Sequence, residues 1–377
     1  MTISKNTAPA VFLVTVAAFA LAASVSTAQP RALDDASPAP PAEKTDAATL
    51  EKWAAPFRNW HYHPNHVIPA KPEIPGFEKF ANTDVPCVYQ IPGDAKWHMS
   101  FIAFDGKGYN SFVAESDDLV RWKIKGQAMG FGPAGQFDAG GCVLGAYLYE
   151  SYDLKAPRTL KRLDGKYWSL YGAYPRQGGY ELRPGYEGLA CSEDGLRWTR
   201  GKETYILSVH EPDCGQWEKD CIYQPWLVAH EGKYYDFYNA ANGRIEQTGL
   251  AVSTDLKNWT RHAGNPILRN RAGGCDERFC SDPKVFRDAD HWTMFYFGVD
   301  AKGKAHIMIA FSRDLVSWTA LPEPLYKAGG NPSGLDKQYA HKISLAYNPK
   351  NETYYMYYCA VGSKGRGIGL ITSKPLQ

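Results

Sequence analysis

Apolar and aromatic residues fall along the chain in short runs separated by polar, Gly-rich punctuation, the rhythm of strands and turns rather than of helices. Five runs are strongly aromatic: "KWHMSFIAF", "KYWSLYGAY", "KYYDFYNAA", "HWTMFYFGV" and "TYYMYYCAV". Each follows another apolar run, respectively "VPCVYQI", "GCVLGAYLY", "YQPWLVAHE", "DPKVFRDAD" and "HKISLAY". In four units a third run leads into Ser-x-Asp-x-x-x-Trp, as "ESDDLVRW", "CSEDGLRW", "VSTDLKNW" and "FSRDLVSW". The last unit, "GIGLITSKP", aligns with "TGLAVSTDL" but lacks the Trp. Trp122, Trp198, Trp259 and Trp318 are spaced 76, 61 and 59 residues apart. Five repeats of strand, aromatic strand, strand and corner predict an all-β five-bladed β-propeller with an N-terminal extension. In the corner the Asp is expected to cap backbone N–H groups and the Trp to wedge between blades, both structural tasks.

The N-terminus has a different pattern. Lys5 precedes an apolar run from Ala8 to Ala23, and "STAQP" supplies small residues for cleavage near Ala28. This predicts a signal peptide over residues 1–28 and export to the periplasm or the medium. An Ala/Pro-rich linker follows over 29–52, ending in a short helix, and the propeller catalytic domain occupies 53–377. No later run is long and apolar enough for a membrane helix. His61, His63 and His66 in "FRNWHYHPNHVIP" read as an extended arm packed on the propeller rather than as a metal cluster.

Composition narrows the partners. Aromatics make up 14% of the residues, with 24 Tyr and 11 Trp, a supply that suits strands and sugar-binding surfaces alike. The 42 basic and 40 acidic side chains leave a formal charge of +2, which gives no footing for nucleic acid. Eight cysteines in an exported chain predict disulfides, with Cys214/Cys221 and Cys275/Cys280 close enough to shut small loops. No Cys-x-x-Cys pair suggests zinc.

In a propeller, the loops entering the innermost strands meet at one mouth. That position reads Asp84 in "NTDVPCVY", Asp138 in "QFDAGGCV", Asp220 in "EKDCIYQPW", Asp282 in "CSDPKVF" and His341-Lys342 in "YAHKISL". Crowded carboxylates shift one another's proton affinity, so one is protonated while another stays ionised, the division that glycoside hydrolysis needs. Each Asp alone has a competing reading as a turn cap. Glu277 in "CDERFCSDP" is a further acid near the mouth, with a surface ion pair as its alternative. Glu187 and Glu211, placed in long loops, are weaker candidates. Trp226, Tyr89 and Tyr339 are expected to stack on sugar faces. His341 is open to three readings: general acid, ligand of a central ion, or channel packing.

The acidic inner strands, "SDPKVF" and the repeated corners resemble the five-bladed propeller glycoside hydrolases, families 43, 32, 62 and 117, and the related phosphorylases of family 130. The resemblance spans about residues 75 to 377. It implies a glycosidase acting on plant or algal oligo- or polysaccharides, inverting and exo-acting, with no required cofactor and room for a structural cation in the central channel. On the family 43 pattern Asp84 is the base, and Asp220 or Asp282 tunes the acid. Asp138 and Lys342 hold substrate. The family's Glu-Gly-Pro acid is missing, with Glu277 nearest. Family 117 uses a His as acid, which His341 matches, whereas a family 43 His at that place binds the central ion. The family 32 "Asn-Asp-Pro-Asn" signature is absent. The alternatives are a non-catalytic carbohydrate-binding propeller and a phosphorylase or transglycosidase.

Overall fold

A computed structural model describes residues 45–77 and 79–376. The expected signal peptide and residues 29–44 of the expected linker lie outside the described residues. Helix α1 (Ala47–Ala54) is capped by Asp46, whose carboxylate accepts from the Thr49 N–H at 3.0 Å and from its hydroxyl at 2.7 Å. Leu50 and Ala54 on its inner face, with Phe57 and Trp60 just beyond, join the main core. Phe57 meets Phe295 edge-on at 5.0 Å. The helix therefore straddles the boundary expected at 52/53. No helix among the described residues is long and apolar enough to cross a membrane.

Strand β1 (His61–Tyr62) precedes five antiparallel groups. The first holds β2 (Asn82–Gln90), β3 (Trp97–Phe104), β4 (Tyr109–Ser116) and β5 (Lys123–Met129). The second is built on β6 (Gly141–Tyr147), followed by short β7 (Arg162–Leu163), then β8 (Lys166–Tyr174) and β9 (Tyr186–Ser192), with β10 (Thr199–Arg200) and β11 (Leu207–Ser208) on its outer edge. The third comprises β12 (Cys221–His230), β13 (Lys233–Asn242), β14 (Ile245–Ser253) and β15 (Thr260–Arg261). The fourth comprises β16 (Phe279–Asp288), β17 (His291–Val299), β18 (Ala305–Ser312) and β19 (Thr319–Ala320). The fifth has β20 (Tyr339–Asn348), β21 (Thr353–Gly362) and β22 (Gly365–Thr372). Its outer strand is β1, with His61 opposite Thr372 and Tyr62 opposite Ile371. The arm continues along β22, where the His63 N–H reaches Leu370 O at 3.0 Å and the Val67 N–H reaches Ile368 O at 2.7 Å. Residues 61–68 and the last strand thus share one sheet. The first and fifth groups also touch directly, through the Val88 N–H on Ser344 Oγ at 2.9 Å.

The repeated corner is a backbone-capping device. Asp118, Asp194, Asp255 and Asp314 each accept two successive N–H groups at 2.7–2.9 Å, and each preceding Ser hydroxyl donates to its Asp. Leu119, Gly195, Leu256 and Leu315 take left-handed φ of 64–77° at the turn. The indole N–H of Trp198, Trp259 and Trp318 closes onto the carbonyl of that same residue at 2.9–3.2 Å. In the first group Tyr357 of the fifth takes Leu119 O instead, and Trp122 stands edge-on to it at 5.6 Å. That Trp wedges between neighbouring groups.

The stretch from Leu148 to Leu160 runs beneath the inner strands, with the Gln90 N–H on Arg158 O at 2.8 Å and the Leu154 N–H on Arg287 O at 2.8 Å. Arg158, 1% exposed, gives its guanidinium to the carbonyls of Asp153, Leu154 and Leu345 and lies over the Phe286 ring at 4.3 Å. The expected disulfides are not formed: all eight cysteines are free thiols. Several serve as small core residues whose S–H meets a carbonyl, as Cys87 on Gly145 O, Cys142 on Met129 O and Cys280 on Leu268 O.

Candidate active site

Four inner strands share one irregularity. Pairing slips between Asp84 and Cys87, Tyr223 and Trp226, Ser281 and Lys284, and His341 and Ser344. At each slip a non-glycine residue has left-handed φ: Val85 at 49°, Gln224 at 58°, Asp282 at 55° and Lys342 at 51°. Such conformations cost on the order of 1–3 kcal/mol each and gather where a side chain must be re-aimed. The slips also correct the register read from the sequence. Asp84 is equivalent to Tyr223, Ser281 and His341, whereas Asp282 is equivalent to Val85, Gln224 and Lys342.

Asp84 is fully buried. Its Oδ2 accepts from Arg366 at 2.7 Å, Lys342 at 3.1 Å and the Tyr180 hydroxyl at 3.1 Å, and its Oδ1 from the Val85 N–H at 2.8 Å. Burial favours the neutral acid, but the two cations prevail and hold the carboxyl well below the ordinary range. Lys342 also contacts Glu181 at 3.3 Å. Glu181 and Tyr180 come from the loop between β8 and β9, and Tyr180 is anchored edge-on against Tyr109 at 5.0 Å.

Glu246 and Arg366 open β14 and β22 at equivalent places, opposite Ala241 and Val361. Glu246 accepts from the Ser281 hydroxyl at 3.0 Å. Burial pushes its carboxyl up to about 7, opposed by the Tyr223 hydroxyl and reinforced by the negative Glu181. Tyr180, Glu181, Tyr223, Glu246, Arg278 and Tyr339 share, with His341, Lys342 and Arg366, the wall of a cavity of about 250 Å³.

The expected site residues separate into two sets. Asp84, His341, Lys342, Tyr339 and Asp282 come together at or just beneath the cavity. His341 is neutral, since burial lowers its imidazole to about 3 despite the negative Asp84. Asp282 is buried against Lys284 at 2.5 Å, with Oδ2 unpartnered; burial raises its carboxyl and Lys284 opposes the rise. Asp138, Asp220, Glu277, Trp226 and Tyr89 do not converge there. Asp138 is pinned by Arg200 and by the Tyr171 hydroxyl at 2.9 Å. The same tie recurs as Glu218–Tyr238 at 2.9 Å, Asp276–Tyr296 at 2.8 Å and Asp336–Tyr358 at 3.0 Å. It fastens each entering loop to its second strand. Asp220 is part-exposed, accepting from the Gly243 N–H beside Arg183. Glu277 accepts from the Gly273 N–H within its own loop. Trp226 is buried with its N–H on Val285 O, and Tyr89 with its hydroxyl on Gly195 O, so these two aromatics are core and not sugar platforms. Glu187 lies in β9 rather than in a loop, fully buried against Asp236, while Glu211 pairs with Arg261 at 2.8 Å.

Glu246, Glu181, Arg366, Arg278 and Tyr180 were not legible as site residues. A signal existed for two: Glu246 and Arg366 each stand seven residues before the corner serine, Ser253 or Ser373.

Asp84, His341 and Cys359 bring ligand-type atoms within 4.8 Å of one another. They do not suit a cation. Both Asp84 oxygens are occupied by donors, two of them cationic, burial holds the Cys359 thiol protonated, and His341 Nδ1 faces Cys359 O at 3.1 Å.

A propeller-like all-β body with a raised Glu246 carboxyl on a cavity wall and an ionised Asp84 against its Lys342 and Arg366 suits a glycosidase. Residues 94–335 match the sequence profile of the family described as Glycosyl hydrolases family 32 N-terminal domain, and the chain belongs to that family. It is a glycosidase. The matched stretch begins beyond Asp84. A solved structure described as a glycoside hydrolase is 25% identical with a TM-score of 0.76, covering 88% of this chain and 97% of its own. Another, described as a BT0996 RGII complex, is 26% identical with a TM-score of 0.76 and the same coverage. A third shares the fold at 16% identity and a TM-score of 0.61, over 85% of this chain and 96% of its own. Its description concerns GH130 mannoside phosphorylases and hydrolases that target beta-1,2 mannosidic linkages in Candida mannan. No curated protein matches the chain.

Proposed function

We propose that this chain is an exported, exo-acting, inverting hydrolase of plant or algal oligosaccharides, with its five strand groups as five blades. The observation that carries the chemistry is the buried Glu246 carboxyl, raised to about 7 on the cavity wall while Asp84 beneath is held ionised. Glu246 is the proton donor to the leaving oxygen, the role for which a carboxyl protonated near neutrality is suited. Glu181, held by Lys342 through one oxygen and with no partner for the other among the described residues, activates water. Asp84 orients Lys342 and Arg366 toward the sugar; with four donors on its two oxygens it is a poor nucleophile. Exo action is supported by the cavity of about 250 Å³, room for about one sugar ring. These roles replace His341 as acid, because burial keeps its imidazole neutral near pH 7 and the N–H of a neutral imidazole is a far weaker acid than the Glu246 carboxyl.

The test is hydrolysis of a panel of aryl glycosides and oligosaccharides by the wild type and by Glu246→Gln. The variant should lose about 10²–10⁴-fold on poor leaving groups and much less on activated phenols. Equal losses on both classes would remove Glu246 as acid. Tight sugar binding without hydrolysis by the wild type would make the protein a binder instead.

A further inference from the structure

We propose that the sugar bound in this cavity carries a carboxylate and that Arg278 recognises it, so that the substrate is an acidic, uronate-type saccharide. The inference rests on the glycosidase reading of the same cavity and specifies its substrate class.

Three cationic side chains face the cavity: Arg278, Lys342 and Arg366. Two are already engaged. Lys342 contacts Asp84 at 3.1 Å and Glu181 at 3.3 Å, and Arg366 contacts Asp84 at 2.7 Å. Arg278 has no ion pair among the described residues, and its guanidinium stands 5.7 Å from the Phe279 ring centre. Its backbone is fixed on both sides. The Arg278 N–H donates to Val299 O at 2.9 Å, and its carbonyl accepts from the Glu246 N–H at 3.1 Å. The free guanidinium therefore starts from a rigid point next to the backbone of the proposed proton donor. Gly303, at φ 78°, borders it, with the place of a Cβ 3.6 Å from the Arg278 terminal nitrogen.

Arg278 is half-buried on the cavity wall beside Phe279, and a carboxylate on the sugar would supply the counter-charge that a neutral sugar lacks. The planar fork of the guanidinium matches a carboxylate with two parallel hydrogen bonds. Inorganic phosphate is the less suitable partner. As a dianion it needs more than one unengaged cation, and the other two are committed to Asp84. The cavity is also smaller than the ~300–1,000 Å³ of drug-sized ligand sites, which limits the buried part to about one sugar ring.

The test compares matched saccharides that differ only in carboxylate against hydroxymethyl at the ring, glucuronide with glucoside and galacturonide with galactoside, as aryl glycosides and as short oligosaccharides. Wild-type kcat/KM should favour the acidic member by about 10- to 100-fold, the worth of one charge-assisted contact. The preference should weaken with added salt. Arg278→Gln should bring the ratio close to one, and Arg278→Lys should restore part of it. Titration calorimetry of the unhydrolysed saccharides gives the same comparison without turnover. Parity in the wild type, or a preference that survives in Arg278→Gln, overturns the inference and leaves the glycosidase reading intact. Carboxylate-selective binding without hydrolysis supports the inference and defeats the glycosidase reading. Turnover that requires inorganic phosphate and releases a sugar 1-phosphate overturns it, as does failure to bind any acidic saccharide of the panel.

Discussion

Asp84 and Arg366 stand 282 residues apart in sequence and 2.7 Å apart in space. The contact joins the first strand group to the last, and Lys342 completes a triad in which one buried carboxylate holds two cations. Removing that charge leaves Arg366 without an ion-pair partner among the described residues and Lys342 with Glu181 alone, and breaking a buried pair costs about 3–5 kcal/mol. Asp84→Asn is therefore predicted to lose stability of that order and to lose activity by several orders of magnitude. The folded-state affinity for a proton is depressed, so the contribution is present above the unfolded value of about 4 and fades as pH falls through the lower folded value. Urea unfolding from pH 2 to 7 should show an acid-side loss in the wild type that is much reduced in the variant.

Glu246 works in the opposite direction. Its carboxyl is raised to about 7, so it donates below that pH and fails above it. The kcat profile should fall on the alkaline side with an apparent midpoint near 7, and Glu246→Gln should abolish that limb. The folded protein keeps a proton that the unfolded chain releases near 4. Stability from this group is thus fully present below about 4 and declines as pH rises to 7, by a total on the order of 3 kcal/mol. Paired measurements of rate and unfolding free energy on the Gln variant check both statements.

Asp255 accepts the Lys257 and Asn258 N–H groups at 2.9 and 2.8 Å and lies away from the cavity lining. Asp255→Ala should lower stability by about 1 kcal/mol, the usual worth of a lost cap, with kcat unchanged. An activity loss at constant stability would show that the corner does more than hold the backbone.

The strand rhythm and the corner were legible because both are local. Period-two runs and a Ser-x-Asp turn declare themselves within ten residues or so. The His61–His66 arm was legible for the same reason. Which acids meet at the cavity was not. Asp138, Asp220 and Asp282 all precede or open an inner strand, yet one ties a loop to Tyr171, one faces solvent beside Arg183, and one sits in a bulge that shifts the register by one residue. A bulge leaves no mark in composition, and a single-residue slip reverses the direction of a side chain. Glu181 and Tyr180 arrive from a loop of the second group over a carboxylate of the first, a contact fixed only by the closed arrangement. The disulfide expectation followed from the even cysteine count, the predicted export and the short Cys214/Cys221 and Cys275/Cys280 spacings, whereas all eight thiols are free and several meet backbone carbonyls instead.

Glu187 and Asp236 form a second acidic pair, outside the cavity. Both are fully buried, and neither carboxyl accepts a well-formed hydrogen bond among the described residues, the Trp226 N–H being the one backbone donor near Asp236. Two carboxylates cannot both stay ionised there, so they share a proton: burial raises Asp236 to about 6 and also raises Glu187 well above the ordinary range, with the negative Asp236 adding to the rise at Glu187. The folded state holds protons that the unfolded chain loses near 4, so this pair is harmless at low pH and increasingly destabilising as pH rises through 6. Arg261 lies close enough to temper the negative charge, but its guanidinium is committed to Glu211 at 2.8 Å, Asp213 at 2.6 Å and Glu218 at 3.1 Å. Glu187→Gln replaces the shared proton with an amide donor of the same shape, which can donate to Asp236 at any pH. The variant should gain about 1–3 kcal/mol at pH 8, the cost of an unsatisfied buried polar group, and little or nothing at pH 4. Melting temperatures of the two proteins across pH 4–9 test this. A variant less stable than the wild type at pH 8 would mean that the pair keeps an ionised form the site needs, through Arg261.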